Sequence, residues 1–534
     1  MANDPGSCND SRVPHSTASR WSGDRGGATT RGARLAAVAT GLLAAVPLVL
    51  WLVVSSRDHY FRDELYFVIA GRHPDLGYVD FPMMTAWLAS VSDEIFGDSL
   101  VGLRVFPALA GSATVALTAL MAREMGGGPL ARFLAALATL VAPVFLATNA
   151  LFGPDALDRT FWVAGCFVLA RMLRHDDPRL WLVFGAIAAL GLLTKMTMLV
   201  FGFAVVVGLL AGGRWRLLLN PWALGGGAIA FAGLAPYLLW QLKHDWPTLT
   251  FWANYGGKLA DLSWGEFALQ QILGMNPVAL PLWVAGLYFL LFGWSGRSFR
   301  PLGLAFLAVL ALCLITRAKS YFLAPAYPAL LAAGGVLLAD TRAAVRWLVV
   351  GSYAVLLAVS GVPMAIAAAP ILPPDTTARI LAIMGPERLR QEKNATAELP
   401  QYLSDRYGWE EMVATVASVY HGLSPEEQRE ACILVGNYGR AAAIDFYGPR
   451  HGLPSAISGH NNYFLWGPRD CTGRVVITTG QSDRALRPIF RRIDRMATVT
   501  CAYCMPSENH LPVWVAQGAT RPMATIWPSL KHFE

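Results

Sequence analysis

Charge is scarce in this chain. Of 534 residues only 15% are Asp, Glu, Lys or Arg, while 54% are hydrophobic. A soluble domain usually carries about 25% charged residues, so the shortfall excludes the string of ordinary soluble domains that length alone would suggest. Cysteine is sparse as well, with seven in all, and no second Cys pair or His stands at ligand spacing to join Cys501-x-x-Cys504, which weighs against a zinc site. His73, His244, His451 and His460 are accordingly given no role. A clear internal repeat is lacking too, which weighs against a transporter built from repeated halves. The formal net charge of +7 does not mark a nucleic-acid binder. The Arg residues sit in short loops between apolar runs, the pattern that orients a chain in a membrane.

What is present is a series of long apolar runs confined to residues 35–369, followed by residues 370–534 with the composition of a soluble domain. Residues 1–34 are polar and rich in Ser, Gly and Arg, and are expected to form a disordered cytoplasmic N-terminus. The run from Leu35 to Val54 is long enough for a ~30 Å hydrocarbon core and exceeds the roughly 7–15 apolar residues of a cleaved signal, so it reads as an uncleaved span. Further spans are expected near 101–121, 129–147, 157–173, 180–193, 196–211, 222–242, 277–294, 301–315, 320–339 and 347–368, about eleven in all. With the N-terminus inside, Arg123, Arg171, Arg174, Arg179, Arg214, Arg216, Arg297, Arg300, Arg342 and Arg346 fall in cytoplasmic loops. Asp63, Glu64, Asp80, Asp93, Glu94, Asp155, Asp245, Asp261 and Glu266 fall on the opposite side. The odd number of spans then places residues 370–534 outside the cytoplasm. Two of the spans, 180–193 and 196–211, are short and flank Lys195; merging them would put every later Arg loop on the wrong side.

The expected fold class is therefore an α-helical polytopic protein of the cell inner (plasma) membrane with an extracytoplasmic C-terminal mixed α/β domain. In that domain 431–435, 474–478 and 513–516 read as strands, and 400–420 and 439–447 as helices. Cys432, Cys471, Cys501 and Cys504 lie there, and an oxidising compartment favours disulfides. Cys501-x-x-Cys504 lacks a second ligand pair and reads as a structural disulfide before a redox or zinc motif.

The long first outer loop, 55–100, carries Arg62-Asp63-Glu64-Leu65-Tyr66 and Gly77-Tyr78-Val79-Asp80-Phe81-Pro82. Acidic residues beside a bilayer commonly mark function, although solvated loop charges are the plain alternative. Pro82–Phe96 is too short and mixed to span and reads as an interfacial helix. Later outer segments carry Gly153-Pro154-Asp155-Ala156-Leu157-Asp158, Gly191-Leu192-Leu193-Thr194-Lys195 and Arg317-Ala318-Lys319-Ser320-Tyr321 followed by Pro325, Tyr327 and Pro328. These motifs, in this order and on one membrane face, resemble the GT-C glycosyltransferases, in particular family 39, which includes protein O-mannosyltransferases and lipid A aminoarabinose transferases. The resemblance spans about residues 55–340. Residues 395–520 are similar to the outer domain of some bacterial members through Asn437-Tyr438-Gly439, Ile444-Asp445-Phe446-Tyr447-Gly448 and Ser458-Gly459-His460-Asn461-Asn462.

The resemblance implies an inverting transfer of a sugar from a polyprenyl-phosphate donor to a hydroxyl of a glycan, lipid or protein acceptor on the outer face. Such a reaction needs a carboxylate to take the acceptor's proton and cations to stabilise charge growing on the departing phosphate. Asp63 matches the family's base position. Lys195 and Lys319 are isolated cations at span ends, suited to phosphate, with Arg62 and Arg317 able to assist by bidentate hydrogen bonding and Tyr321 beside them. Glu64, Tyr78, Asp80, Asp155 and Asp158 are candidates for orienting donor or acceptor. Each has a plain alternative: Glu64 pairing with Arg62, Asp80 capping the helix near Pro82, Asp155 complementing a helix dipole, Asp158 paired with a cation, the Lys residues snorkelling, and the Tyr residues belonging to an interfacial belt. Asp63, Glu64, Asp80 and Asp158 could also gather Mg²⁺ or Mn²⁺, though nothing in the spacing requires a metal. A lipid flippase or transporter is the alternative function. It would place ionisable groups in mid-span, whereas here they collect at one end.

Overall fold

The computed structural model describes residues 30–256, 262–341, 343–384, 392–393, 395 and 397–534. Most of the polar stretch 1–34, together with Asp261 and Arg342, lies outside the described residues. The first part of the chain is helical: α1 (Thr30–Ser55), α2 (Arg62–Gly71), α3 (Met84–Phe96), α4 (Leu100–Glu124), α5 (Pro129–Leu140), α6 (Pro143–Asn149), α7 (Pro154–His175), α8 (Leu180–Leu192), α9 (Thr197–Ala211), α10 (Pro221–Lys243), α11 (Pro247–Tyr255), α12 (Trp264–Gly274), α13 (Leu280–Leu291), α14 (Arg300–Thr316), α15 (Tyr327–Ala339) and α16 (Ala343–Ala368).

Among the described residues six helices are long and apolar enough to cross a membrane, or up to eight if each bent pair counts as one span. The chain is thus a polytopic membrane protein, but the expected eleven spans are not all of one kind. The expected span 129–147 is α5 and α6, bent by 62° where Pro143 opens a new helix. The expected span 157–173 is α7, which carries Asp158, Arg159, Arg171 and Arg174 and buries both Asp158 and Arg159 among its neighbours. Helices α8 and α9 are 13 and 15 residues long and apolar throughout. Helices α12 and α13 form the second bent pair, at 94°.

The bundle packs through small residues. A Cβ on Gly286 of α13 would lie 1.9 Å from the Leu330 carbonyl oxygen of α15, and one on Gly334 of α15 would lie 2.0 Å from that of Leu282. Two backbones brought this close exclude any side chain at the crossing, which is how helices associate where lipid supplies no hydrophobic drive.

After α17 (Pro374–Met384), α18 (Gln401–Ser404), α19 (Trp409–His421), α20 (Pro425–Glu430) and α21 (Tyr438–Tyr447), the remaining chain is built around one sheet. Strands β1 (Ala431–Val435), β2 (Ala456–Ile457), β3 (Val475–Thr479), β4 (Phe490–Val499) and β5 (Leu511–Ala519) lie in the order β2-β1-β3-β5-β4. Strands β2 and β3 flank β1 in parallel, whereas β5 pairs antiparallel with both β3 and β4. The single helix expected over 400–420 is broken into α18 and α19, because Gly408 takes a left-handed conformation (φ +94°) against Cys501 and Cys504. Those two cysteines are bonded to each other, as are Cys432 and Cys471.

One core joins the two parts. Leu65, Tyr66 and Ile69 of α2 and Ala86 of α3 are buried in the same apolar cluster as Trp409, Val413, Ile433, Ala442, Ile444 and Val515. Helix α3 buries Ala86 and Ala89 on one face and exposes Trp87, Val91 and Ile95, four residues apart, on another. The loop 55–100 is therefore packed between the spans and the sheet, and this fixes where its acidic residues point.

Candidate active site

Helix α2 begins with two adjacent carboxylates that separate at once, because successive helical residues point about 100° apart. Glu64 turns inward. Its side chain is fully buried, accepts from Arg104 Nε and Nη2 at 2.7 Å each, and also accepts from the Phe61 and Phe152 backbone N–H groups at 2.8 and 2.6 Å. Arg104, on α4, also binds Asp58 at 2.6 Å, and Arg406 reaches the same Asp58 carboxylate from the C-terminal part at 3.3 Å. This network locks α2, α4 and the sheet region together.

Asp63 faces the other way, onto a cavity of about 380 Å³. Its Oδ1 accepts a hydrogen bond from the Tyr438 hydroxyl at 2.8 Å and contacts Arg62 Nε at 3.2 Å. Oδ2 has no protein hydrogen bond among the described residues. Arg62 packs over the Tyr438 ring and reaches Asp405 at 3.5 Å, while its backbone N–H donates to the Asp405 carbonyl. Burial pushes the Asp405 carboxyl up to about 7 despite Arg62.

The same cavity is lined by Arg62, Asp155, Lys319, Tyr321 and Glu392. A small side pocket shares Asp155 and Tyr321 with it and adds Asp158, Lys195 and Thr197. Lys195 pairs with Asp155 at 2.5 Å, and its ammonium lies 4.9 Å from the Phe322 ring centroid and 5.8 Å from that of Tyr321. Asp158 accepts from the Thr197 hydroxyl at 2.7 Å. Lys319 pairs with Glu392 at 2.6 Å and contacts the Tyr255 hydroxyl. Burial works to raise the Glu392 carboxyl, but the Lys319 ammonium overrides it and holds the group at about 2. Much of the remaining lining is apolar: Pro143, Val144 and Ala147 at the first helix bend, Leu273 and Met275 at the second, and Met364, Ala367 and Ala368 at the end of α16. One cavity thus combines a cluster of ionic side chains with an extensive apolar lining.

Asp80 stands one aromatic layer away. Its carboxylate accepts from Tyr66 at 3.0 Å, from Asn461 at 3.2 Å and from Asn462 at 3.4 Å, and the Tyr66 ring stacks 4.5 Å from that of Tyr438. Burial pushes the Asp80 carboxyl up to about 7, against the lowering effect of the Tyr66 hydroxyl.

Of the residues singled out in the sequence, Arg62, Asp63, Asp155, Asp158, Lys195, Lys319 and Tyr321 line these two adjoining pockets. Four others do not. Asp80 is held behind the cavity by Tyr66, Asn461 and Asn462. Glu64 is consumed by Arg104, not Arg62. Tyr78 is buried with its hydroxyl donating to the Ala70 and His73 carbonyls. Arg317 caps α14 in a left-handed conformation and is exposed. The carboxylates Asp63, Glu64, Asp80 and Asp158 are engaged separately, and among the described residues no group of three or more His, Cys, Asp or Glu could hold a metal ion. Sequence reasoning missed Tyr255, Glu392 and Asp405. It passed over Tyr438, Asn461 and Asn462 as members of motifs without a role.

Comparison with known proteins places this geometry. Residues 80–240 match the family model of dolichyl-phosphate-mannose-protein mannosyltransferase. The lipid A galacturonosyltransferase RgtD of Rhizobium johnstonii is 24% identical over 258 residues, 46% of this chain and 51% of that protein. An undecaprenyl phosphate-alpha-4-amino-4-deoxy-L-arabinose arabinosyl transferase of Pseudomonas fluorescens is 25% identical over 234 residues, 41% of this chain and 42% of that protein. The chain spans about half the length of these curated relatives or less. Among solved structures, ArnT from Cupriavidus metallidurans bound to undecaprenyl phosphate superposes with a TM-score of 0.58 at 18% identity, covering 89% of this chain and 97% of that one. The chain therefore shares the fold of ArnT, and its residues 80–240 match the dolichyl-phosphate-mannose-protein mannosyltransferase model.

Proposed function

We propose that this chain is a glycosyltransferase of the inner membrane that moves a sugar from a polyprenyl-phosphate carrier to a hydroxyl acceptor on the outer face, with inversion at the anomeric carbon. The observation that carries the reading is one cavity lined both by Asp63, Arg62 and Lys319 and by many apolar side chains, a lining that fits an amphiphile with an anionic head. In this reading residues 35–369 form the transferase region and residues 370–534 an outer domain that completes its mouth. Two disulfides in that domain support an oxidising compartment. The named relatives act on undecaprenyl-phosphate sugars or lipid A, and a carrier of that class suits the apolar wall here.

The chemistry follows from the placement of each group. Asp63 holds Oδ1 against Tyr438 and turns Oδ2 to the acceptor hydroxyl, taking its proton as the oxygen attacks the anomeric carbon. A positioned base of this kind contributes about 10²–10⁴-fold. As the glycosidic C–O bond breaks, the electron pair passes to the carrier phosphate, whose growing charge faces Lys319, Lys195 and Arg62. Asp155 and Asp158 hold Lys195 in place. Asp80, held by Tyr66, Asn461 and Asn462, orients the acceptor side indirectly by fixing the Tyr66 ring against Tyr438, the partner of Asp63.

The test is Asp63→Asn. It is expected to abolish transfer while leaving membrane insertion intact, and near-normal transfer would refute the base assignment. Mass analysis of envelope glycans and polyprenyl-phosphate sugars from cells lacking the chain names both substrates: an accumulating donor and a missing modification are expected, and an unchanged profile would count against the transferase reading.

A further inference from the structure

Lys319 is 8% exposed, and a buried ammonium needs a counter-charge. Here Glu392 supplies it. Among the described residues the carboxylate accepts from donors of different kinds, including the Lys319 ammonium at 2.6 Å, the Tyr255 hydroxyl at 3.0 Å and the Gln401 carboxamide at 3.1 Å. The ammonium is also enclosed by the Tyr255 and Tyr321 rings, 5.0 and 5.8 Å from their centroids. An ammonium, a phenol and an amide all donate to an anionic oxygen, and none selects a carboxylate over a phosphate. Glu392, Lys319 and Gln401 line the cavity itself, beside its apolar wall.

We infer that Lys319, Tyr255 and Gln401 form the seat for the carrier's phosphate, and that Glu392 fills this seat when no carrier is bound and yields it on binding. The inference rests on the carrier reading above and adds to it the occupant and the exchange. Charge is conserved in the exchange: Lys319 trades one anionic oxygen partner for another and is never left buried and unpaired. Competition by an internal anion lowers the apparent affinity by the fraction of molecules in which the seat is open.

The experiment uses the full chain in lipid nanodiscs with undecaprenyl phosphate as probe. Glu392→Gln, and Glu392→Ala as a second variant, are expected to bind undecaprenyl phosphate several-fold more tightly than the wild type, about tenfold if the wild-type seat is open one-tenth of the time. Unchanged or weaker binding in both variants overturns the inference. A wild-type measurement accompanies it. A carbodiimide is expected to join Glu392 to Lys319 as a zero-length amide, detected by peptide mass spectrometry, and undecaprenyl phosphate is expected to suppress that product while equimolar inorganic phosphate does not. Suppression by inorganic phosphate alone would assign the seat to a free anion and overturn the carrier as occupant. Carrier that binds the wild type without suppressing the cross-link overturns the exchange but leaves the transferase reading standing, whereas absence of any binding overturns both.

Discussion

Asp63 and Glu64 are neighbours in sequence with the same charge, yet their replacement is expected to fail in opposite ways. Consider Glu64→Gln. The native carboxylate accepts four hydrogen bonds, two from Arg104 and one each from the Phe61 and Phe152 N–H groups. A carboxamide offers one acceptor oxygen, and its NH₂ must point at a donor. Arg104, 1% exposed, loses one of its two carboxylate partners. Removing one member of a buried ion pair costs about 3–5 kcal/mol, which for a domain of a few hundred residues lowers the thermal midpoint by roughly 10 °C. Asp63 is 35% exposed and holds no part of that network, so Asp63→Asn is expected to leave the midpoint within a few degrees while transfer falls about 10²–10⁴-fold. Thermal unfolding of purified protein in detergent, run beside a transfer assay at a temperature where both variants are folded, separates the two. A stable Glu64→Gln with lost transfer, or an unstable Asp63→Asn, would refute the division of labour drawn from their orientations.

Three further outcomes are expected. Asp80 keeps its proton in the folded chain up to about pH 7 and loses it near pH 4 when unfolded. The folded state thus binds the extra proton in between, and stability falls as pH rises through that window. Asp80→Asn should flatten the slope of midpoint against pH, leaving the share that belongs to Asp405, and an unaltered slope would contradict the burial argument. Gly286→Ala places a methyl 1.9 Å from the Leu330 carbonyl and is expected to cost at least about 1–3 kcal/mol, whereas Gly351→Ala, with nothing within 4 Å, is expected to be silent in the same unfolding measurement. Replacing both Cys432 and Cys471 by Ala opens a link across 39 residues and is expected to cost about 2–5 kcal/mol, seen as protease sensitivity of the C-terminal sheet with the spans' helicity unchanged.

The membrane character and the resemblance to the mannosyltransferase model over residues 80–240 were legible because apolar runs and ordered short motifs are local signals. Lys195 and Lys319 stood out as lone cations at helix ends, and both face the pockets with Asp155 and Tyr321. What stayed hidden depended on distance along the chain. Whether Glu64 or Asp63 faces the cavity is set by Arg104, forty residues on, and Lys319 takes a partner from Glu392, 73 residues on. Length and hydropathy alone also do not settle the number of spans. A polar helix such as α7 can stand inside a bundle because protein, not lipid, surrounds Asp158 and Arg159, and hydropathy does not see its neighbours.

The hydrogen bond between Asp63 and Tyr438 bridges 375 residues, and this separation has a consequence in time. A ribosome delivers Asp63 early and Tyr438 only after the last span has been made, so a nascent or truncated chain holds an unfinished centre. The partner that steadies the Asp63 carboxylate is made only long after α16, so this corner of the molecule is assembled last.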